Sequence, residues 1–487
     1  MARTNLAGTK RWQSSPAFWL AVVGAVSFIE RLLVVLLYQP ISYGDTSSYR
    51  RLADSVLAGF ASYDGTRTPG YPIFLALTGN DQNAWMVQLL LGFITTLLVF
   101  YLGYQLTGKA WFAGVIALAH TLDLSQFFFE SNLLTESLTT FLMVLTMAGV
   151  LVWLAHPRAR TVWLAFGLGL VSTLTMLVRP LFIYLPFIIL LLLWFISWKE
   201  GKITRAAKAE TIGHENRQAR HHSIWSVGVA LLLPVALLLG GWFTFIHAQF
   251  NQWSLTTMTG YHLVQHTGSY FEYVPDEYAS LRDTYIKYRD AQIAASGTQT
   301  NAIWDAIPEM SKVSGYSFYA LSNVLTRISI NLILQHPLPY LKNSLSGWWM
   351  FWRVPVYWSE DALLFPWLSA GLQPMILIQR AGIFCINLLC IAFSLLFVVT
   401  ELVHATRRKL SPYHRSATNL VVYYFSWLLL VNIWVASILQ TLLDHGDNPR
   451  FLVPLQSMVI LWVALFVYQW ATRNPIKPAP KPPSSSN

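Results

Sequence analysis

The chain has 487 residues, of which 54% are hydrophobic and 11% charged. A soluble globular domain carries about 25% charged residues, so this chain cannot cover itself with a solvated surface, which excludes a soluble globular protein. Its formal net charge of +10 does not indicate a nucleic-acid partner, because the basic residues flank apolar segments and form no single patch with interleaved aromatics.

Apolar runs of about 18 to 25 residues match a bilayer core of about 30 Å. They predict about ten transmembrane helices (nine to twelve), near 16–38, 84–106, 109–122, 133–154, 161–178, 181–198, 223–246, 375–400, 420–442 and 451–471. The first run, Pro16 to Tyr38, is too long for a signal-peptide core and lacks a small-residue cleavage site, so it reads as a retained helix. The third is the shortest. The 21 Trp and 22 Tyr suit the membrane–water boundary. Cys385 and Cys390 share one predicted helix, point apart and read as packing residues.

Loop charge fixes the expected orientation. With the N-terminus cytoplasmic, inside segments carry nineteen Lys and Arg, and the short outside segments carry five: Arg50, Arg51, Arg67, Arg179 and Arg450. This is the positive-inside bias, and losing the short third helix would reverse it for every later loop. The chain then divides into an N-terminal membrane module, 1–246, with a first outer loop at 39–83. A long outer segment follows at 247–374, then C-terminal membrane helices at 375–472 and a Pro-, Lys- and Ser-rich tail at 473–487 that reads as disordered. Residues 201–222 form a polar inner connector. No internal repeat is evident, which disfavours an inverted-repeat transporter.

The unusual residues gather outside. After the first helix, Tyr49, Leu52, Ala53, Val56 and Leu57 recur as one helical stripe, closed by Gly59. They predict an amphipathic helix on the outer surface. Asp45 stands at its start, where a carboxylate either caps the helix or does chemistry. Arg67-Thr68-Pro69-Gly70-Tyr71-Pro72 is a stiff turn, and an arginine held there can fork onto a phosphate or reach lipid headgroups.

The second outer loop runs from Asp123 through Glu130 to Leu133-Leu134-Thr135-Glu136-Ser137-Leu138. Glu136 opens the fourth helix, where the helix dipole favours an acid, yet a carboxylate at this depth needs a partner or water. Arg179-Pro180 lies between the fifth and sixth helices, and Arg450 in the loop Asp444–Arg450. Three arginines and two carboxylates from distant parts of the chain therefore fall at one membrane level. In the outer segment, Asp276 to Gln292 reads as a polar helix. Lys342 to Trp358, with Trp348, Trp349, Trp352 and Arg353, reads as an interfacial helix.

These motifs resemble the GT-C superfamily of polyprenyl-phosphate-sugar-dependent glycosyltransferases, and more closely the bacterial relatives of protein O-mannosyltransferases and lipid A aminoarabinose transferases. The likeness rests on Asp45 and Tyr49 with the stripe, Arg67 to Pro72, Leu133 to Leu138, Val178-Arg179-Pro180, and Pro449-Arg450-Phe451 with Pro454. It covers roughly the first 200 residues and, in outline, the last helix pair; 247–374 matches nothing. Thr46 follows Asp45 where some members carry a second acid.

The resemblance implies an all-α, GT-C-like bundle in a bacterial cell membrane, with both termini cytoplasmic and the active site on the outer face. Asp45 would be general base, with Glu136 positioning a sugar hydroxyl. Arg67, Arg179, Arg450 and Arg353 would be the donor-phosphate contacts, and Tyr49, Pro69, Gly70, Tyr71 and Pro72 would set loop geometry. The implied partners are a polyprenyl-phosphate-linked sugar, membrane lipids and a glycan, lipid or protein acceptor. No cofactor or metal is expected; a divalent cation between Asp45 and Glu136 is the less favoured alternative, since no ligand-spaced His/Asp cluster occurs. The competing readings are a transporter or flippase of a lipid-linked or anionic solute, for which Glu30, Arg31 and Arg380 are the few charges within predicted helices, and a non-catalytic envelope-assembly protein.

Overall fold

The computed structural model describes residues 15–210, 224–408, 417–446 and 448–473. The tail expected at 473–487, all but its first residue, and most of the connector expected at 201–222 lie outside them. The protein is all-α, with no strand among the described residues. Two isolated backbone bridges, Tyr38 to Leu363 and Ile41 to Asn132, are the only strand-like pairings there.

The elements run as α1 (Pro16–Leu37), α2 (Gly44–Leu57), α3 (Gly70–Thr78), α4 (Asp81–Thr107), α5 (Ala110–Thr121), α6 (Leu124–Phe129), α7 (Glu136–Ala155) and α8 (Val162–Val178). They continue with α9 (Leu185–Glu210), α10 (Ile224–Pro234), α11 (Gly240–Phe250), α12 (Thr259–Thr267), α13 (Ala279–Ser296), α14 (Ala302–Ser314), α15 (Phe318–Gln335), α16 (Pro337–Phe351), α17 (Ser369–Arg408), α18 (Ala417–Leu443) and α19 (Gln456–Arg473). A single π turn, Val235–Leu239, joins α10 to α11 just after Pro234, where the missing N–H breaks the regular ladder.

Among the described residues, eight helices are long and apolar enough to cross a membrane, and the protein is a multi-pass membrane protein. Two of the ten expected spans, α5 and α8, are apolar but shorter. At 12 residues, α5 rises only about 18 Å. It covers part of the bilayer, and the chain then turns into the six-residue α6. Only 22% of the α1 and α17 spans is buried in protein, so these helices give most of their surface to lipid, whereas α7 and the last span lie inside.

The main core joins α4, α5, α7, α8, α9, α18 and α19. Residues 258–332 build a second core of their own around Tyr261, Phe271, Tyr285, Leu321 and Leu325. Residues 258–332 are thus a small helical unit, and the helix expected at 276–292 is its α13, whereas Phe351, Trp352 and Val354 of the segment expected at 247–374 join the main core. Helices α14 and α15 meet at a 101° bend where Gly315 takes a left-handed conformation (φ +70°). Lys342 to Trp358 is not one interfacial helix: α16 ends at Phe351 and residues 354–359 form no helix. Pro355 explains the break, since it removes a donor and disfavours helix at Val354. Trp352 is fully buried and packs near Trp348 and Trp434; it belongs to the core instead of the lipid boundary. Cys385 and Cys390 are both free thiols.

Candidate active site

The site begins with a tie between the loop that follows α1 and the loop that precedes α7. The Ile41 N–H donates to the Ser131 carbonyl at 2.9 Å, and the Leu133 N–H donates to the Ile41 carbonyl at 3.0 Å. Thr46, at the residue after Asp45, is fully buried. Its hydroxyl accepts from the Tyr43 N–H at 2.9 Å and donates to the Leu133 carbonyl at 3.1 Å. The start of α2 is therefore fixed against the start of α7, three residues before Glu136. Asp45 sits inside the first turn of α2 and makes no side-chain cap, so the capping reading does not hold; its carboxylate is turned to arginines.

The Arg67–Pro72 turn supplies the next wall. Pro69 precedes α3 and Tyr71 is fully buried. The Tyr71 ring meets Tyr49 edge-on at 5.0 Å, and its hydroxyl donates to Gln88 Oε1 at 2.8 Å. Gln88 in turn donates to the Glu130 and Asn132 carbonyls at 3.0 and 2.8 Å. Pro72 is buried beside Tyr71. Gly70 has a reason of its own: a Cβ there would lie 2.6 Å from the Leu177 carbonyl and the Val178 nitrogen. Only glycine lets the turn press on the end of α8, which is the backbone that presents Arg179. The Arg67 guanidinium lies over the Tyr49 ring, 5.5 Å from its centre.

Arg179 follows α8 in extended conformation, because Pro180 comes next and cannot continue the helix. Arg450 and Phe451 come from the 3-10 turn Asn448–Leu455 that leads into the last helix, and the Phe451 ring lies 4.1 Å below the Arg179 guanidinium.

Five of the residues singled out in the sequence meet here. Asp45 Oδ1 is 2.5 Å from Arg67 Nη2, and Asp45 Oδ2 is 3.0 Å from Arg450 Nη2. Glu136 Oε1 is 2.6 Å from Arg450 Nε and 3.0 Å from Arg179 Nη1. Arg450 bridges the two carboxylates. Glu136 is fully buried and Arg179 nearly so, whereas the Asp45 and Arg67 side chains keep 26% and 24% of their surface, so the accessible side of the group is the Asp45–Arg67 side. Burial alone would raise the Asp45 carboxyl; Arg67 and Arg450 outweigh it and hold it below its ordinary value of 3.8.

Three guanidinium groups against two carboxylates leave one positive charge in excess. Glu136 Oε2, Arg179 Nη2 and Arg67 Nε are buried without a hydrogen-bond partner. Buried polar atoms are rarely left unmade, so excess charge together with spare donors is the signature of a place for an anion.

Arg353 is not part of this group. It is exposed and lies over the Trp349 and Phe384 rings, 5.6 and 6.0 Å from their centres. It follows the end of α16, and while Trp352 enters the core, the next side chain turns out along α17. Sequence reasoning had no signal for Gln88 or Asn132, two neutral amides that join the loops. Among the described residues no group of three or more His, Cys, Asp or Glu is placed to hold a metal ion. No protein-family model matches the chain, and no curated protein or solved structure matches it.

Proposed function

We propose that this protein is a membrane glycosyltransferase, moving a sugar from a polyprenyl-phosphate donor to a hydroxyl of a glycan, lipid or protein acceptor. The reaction takes place on the outer face of a bacterial cell membrane, with both termini of the chain cytoplasmic. The observation that carries the reading is the convergence of Asp45 and Glu136 with Arg67, Arg179 and Arg450, one positive charge in excess and with spare buried donors. The resemblance of the four loop motifs to GT-C transferases supports it independently.

The chemistry follows from the charges. The acceptor oxygen attacks the anomeric carbon as the carbon–oxygen bond to the phosphate breaks. The electron pair leaves with the lipid phosphate, the acceptor proton passes to Asp45, and the configuration inverts. A sugar phosphodiester carries one negative charge, which the one excess positive charge balances. Arginines aimed at the departing phosphate stabilise the charge that grows there. Because Arg67 and Arg450 hold Asp45 in the free protein, a phosphate that draws them away also frees the carboxylate and makes it a stronger base. Donor binding and base activation are then one event. Glu136, buried behind, keeps Arg179 and Arg450 in place and can position a sugar hydroxyl.

A transporter reading has one observation in its favour, the buried Arg31–Glu130 pair in α1 and the second outer loop. Every nitrogen of that arginine is engaged: Nε by the Leu89 carbonyl, Nη1 by Ser27 and Thr121, and Nη2 by Glu130. A saturated arginine is a clasp and leaves no waypoint for a solute. Arg380 is exposed.

The test uses the purified chain in nanodiscs with a set of polyprenyl-phosphate sugars, scored by mass spectrometry of the products, alongside mass analysis of envelope glycans with and without the gene. Transfer that Asp45→Asn leaves at the wild-type rate would remove Asp45 as base. An envelope glycan profile unchanged by loss of the gene, with no transfer in vitro, favours the non-catalytic assembly role.

A further inference from the structure

A cavity of about 420 Å³ opens beside the ionic group, where the long outer segment meets the first outer loop. Arg67 forms part of its wall, together with Arg51, Asp64, Phe250, Trp304 and Tyr319. Its position is braced on both sides. Gly65 takes a left-handed conformation (φ +68°), and a Cβ there would lie 2.9 Å from Ile246, Phe250 and Thr257. The Thr257 N–H donates to the Gly65 carbonyl at 2.9 Å, and its hydroxyl donates to the Asp64 carbonyl at 3.2 Å. Asp64 itself is fixed: one carboxylate oxygen accepts from Thr66 N–H and hydroxyl at 2.9 and 2.6 Å, and the other pairs with Arg51 at 2.7 Å. On the facing side Phe250 and Tyr319 stand edge to face at 5.6 Å, and Trp304 rests against Tyr261 and His262 of the outer unit.

We infer that this cavity is a carbohydrate subsite that seats the acceptor glycan next to Asp45; the inference rests on the transferase reading. The wall is mostly apolar, with aromatic rings from the 250–319 side and the polar groups of Arg51, Asp64 and Arg67 along the loop edge, an arrangement that can seat a sugar ring. A pyranose has an apolar C–H face that lies on aromatic rings such as those of Trp304 and Tyr319, and an equatorial belt of hydroxyls that a fixed carboxylate and guanidinium can meet. A polyprenyl tail would meet the apolar side of the wall but strip water from the Arg51–Asp64 pair on the other without replacing its hydrogen bonds. An extended peptide is bound by strand addition or along a groove, and this is a compact cavity with no strand beside it among the described residues. Arg67 connects the two places: its Nη2 holds Asp45 while its side chain lines the cavity. A sugar seated here has its hydroxyls on the side of the carboxylate that takes the proton.

The test is done first without donor. The full-length protein in detergent is applied to a printed oligosaccharide array, with arrays of Ser- and Thr-containing peptides in parallel. The wild type is expected to bind a subset of glycans. Trp304→Ala and Tyr319→Ala should each weaken that binding by about tenfold, the equivalent of one lost stacking contact. Tyr319 is 41% exposed, so its truncation leaves the fold intact if Trp304→Ala does not. Trp367→Ala, an exposed aromatic outside the cavity (72%), should bind as wild type. In a transfer assay the same two variants should raise KM for the glycan and leave kcat and donor KM unchanged. Absence of any glycan binding, binding indifferent to both variants, or a change confined to donor KM overturns the subsite. Transfer to a peptide or lipid at wild-type KM in both variants overturns it while the transferase reading stands. Glycan binding that depends on Trp304 and Tyr319 without transfer from any polyprenyl-phosphate sugar keeps the subsite and removes the transferase reading.

Discussion

The protein contains two ionic groups made from the same residue types to different designs, one within the N-terminal half and one completed by Arg450 from near the C-terminus. Arg31 and Glu130 are one cation and one anion, 2.5 Å apart, and all the nitrogens of the arginine are hydrogen-bonded. Asp45, Glu136, Arg67, Arg179 and Arg450 are three cations and two anions, with three buried polar atoms left over. In the first group Arg31 is fully hydrogen-bonded and faces Glu130, with the Glu30 carboxylate held nearby by Thr121; Glu130 Oε2 accepts no hydrogen bond, but no cation is in excess and no arginine donor is spare for an anion. The second has one cation in excess and two unpaired donors, Arg67 Nε and Arg179 Nη2, and these are what an anionic ligand would complete. In a membrane protein, where desolvated charge is expensive, an excess of cations with spare donors separates a site from a clasp better than burial does.

The comparison can be broken by removing one member from each group. The largest effect is expected at the site. Asp45→Asn should lower transfer by about 10²- to 10⁴-fold, the usual contribution of a general base, with donor binding retained. At the clasp the order reverses. Arg31→Met leaves Glu130 buried and unpaired and should lower stability by about 3 to 5 kcal/mol, read as detergent-resistant folded fraction against temperature. The rate per folded molecule should stay near wild type. If Arg31→Met abolished transfer in fully folded protein, the division between clasp and site would be wrong.

Gly70→Ala tests how far the site depends on close packing. The added methyl would sit 2.6 Å from the Leu177–Val178 backbone, and backbone cannot give way as a flexible side chain can. Overpacking of this kind costs about 1 to 3 kcal/mol, and the displaced strand of backbone is the one that carries Arg179. The variant should lose stability and raise donor KM together, whereas Arg31→Met moves stability alone.

How much of this was legible in the sequence differs between the two groups for a physical reason. Asp45, Arg67, Glu136, Arg179 and Arg450 stand at or near helix ends, all but Glu136 within two residues of a Pro or Gly, and membrane helix ends share a level, so residues far apart in the chain fall into one plane. Arg31 was visible as a charge inside an apolar run, but its partner was not, because no local pattern links α1 to the second outer loop. Trp352 read as a boundary residue since its run is rich in Trp and Arg; only the break at Pro355 and the packing on Trp434 make it a core residue. Arg353 was misplaced with it. The outer unit around Tyr261 and Leu325 is held by amphipathic helices with no signature beyond their period, so its existence as a separate core, and the cavity it forms with the first loop, came only from the fold.

Acidity offers a gentler probe of the same group. Asp45 has its folded pKa held below 3.8 by Arg67 and Arg450, so its ionised form contributes stability that is fully present above the unfolded value and is lost as pH falls through the folded one. The acid limb of kcat/KM reports the free protein and should therefore fall below pH about 4, the ordinary aspartate value. If the donor phosphate draws the arginines from Asp45, the acid limb of kcat, which reports the complex, should lie at higher pH. Coincident limbs would mean that the phosphate leaves the Asp45 pairing undisturbed. In Arg67→Met, with one clamp gone, the kcat/KM limb should itself move upward.

The smallest effect is expected at Arg353, and its smallness is informative. An exposed guanidinium over two rings contributes about 0.5 to 1 kcal/mol at most, and its contacts are with Trp349 and Phe384, none of which reaches the carboxylates. Arg353→Ala should thus leave donor KM unchanged, while Arg179→Met, which strips Glu136 of a partner at 3.0 Å and removes a spare buried donor, should raise it strongly. Both residues are arginines at the end of a helix near the membrane boundary, and charge and location alone cannot tell them apart. Equal donor KM changes in the two variants would show that the phosphate is gathered by the general positive field of the surrounding surface. A change confined to Arg179 ties recognition to the geometry of the cluster.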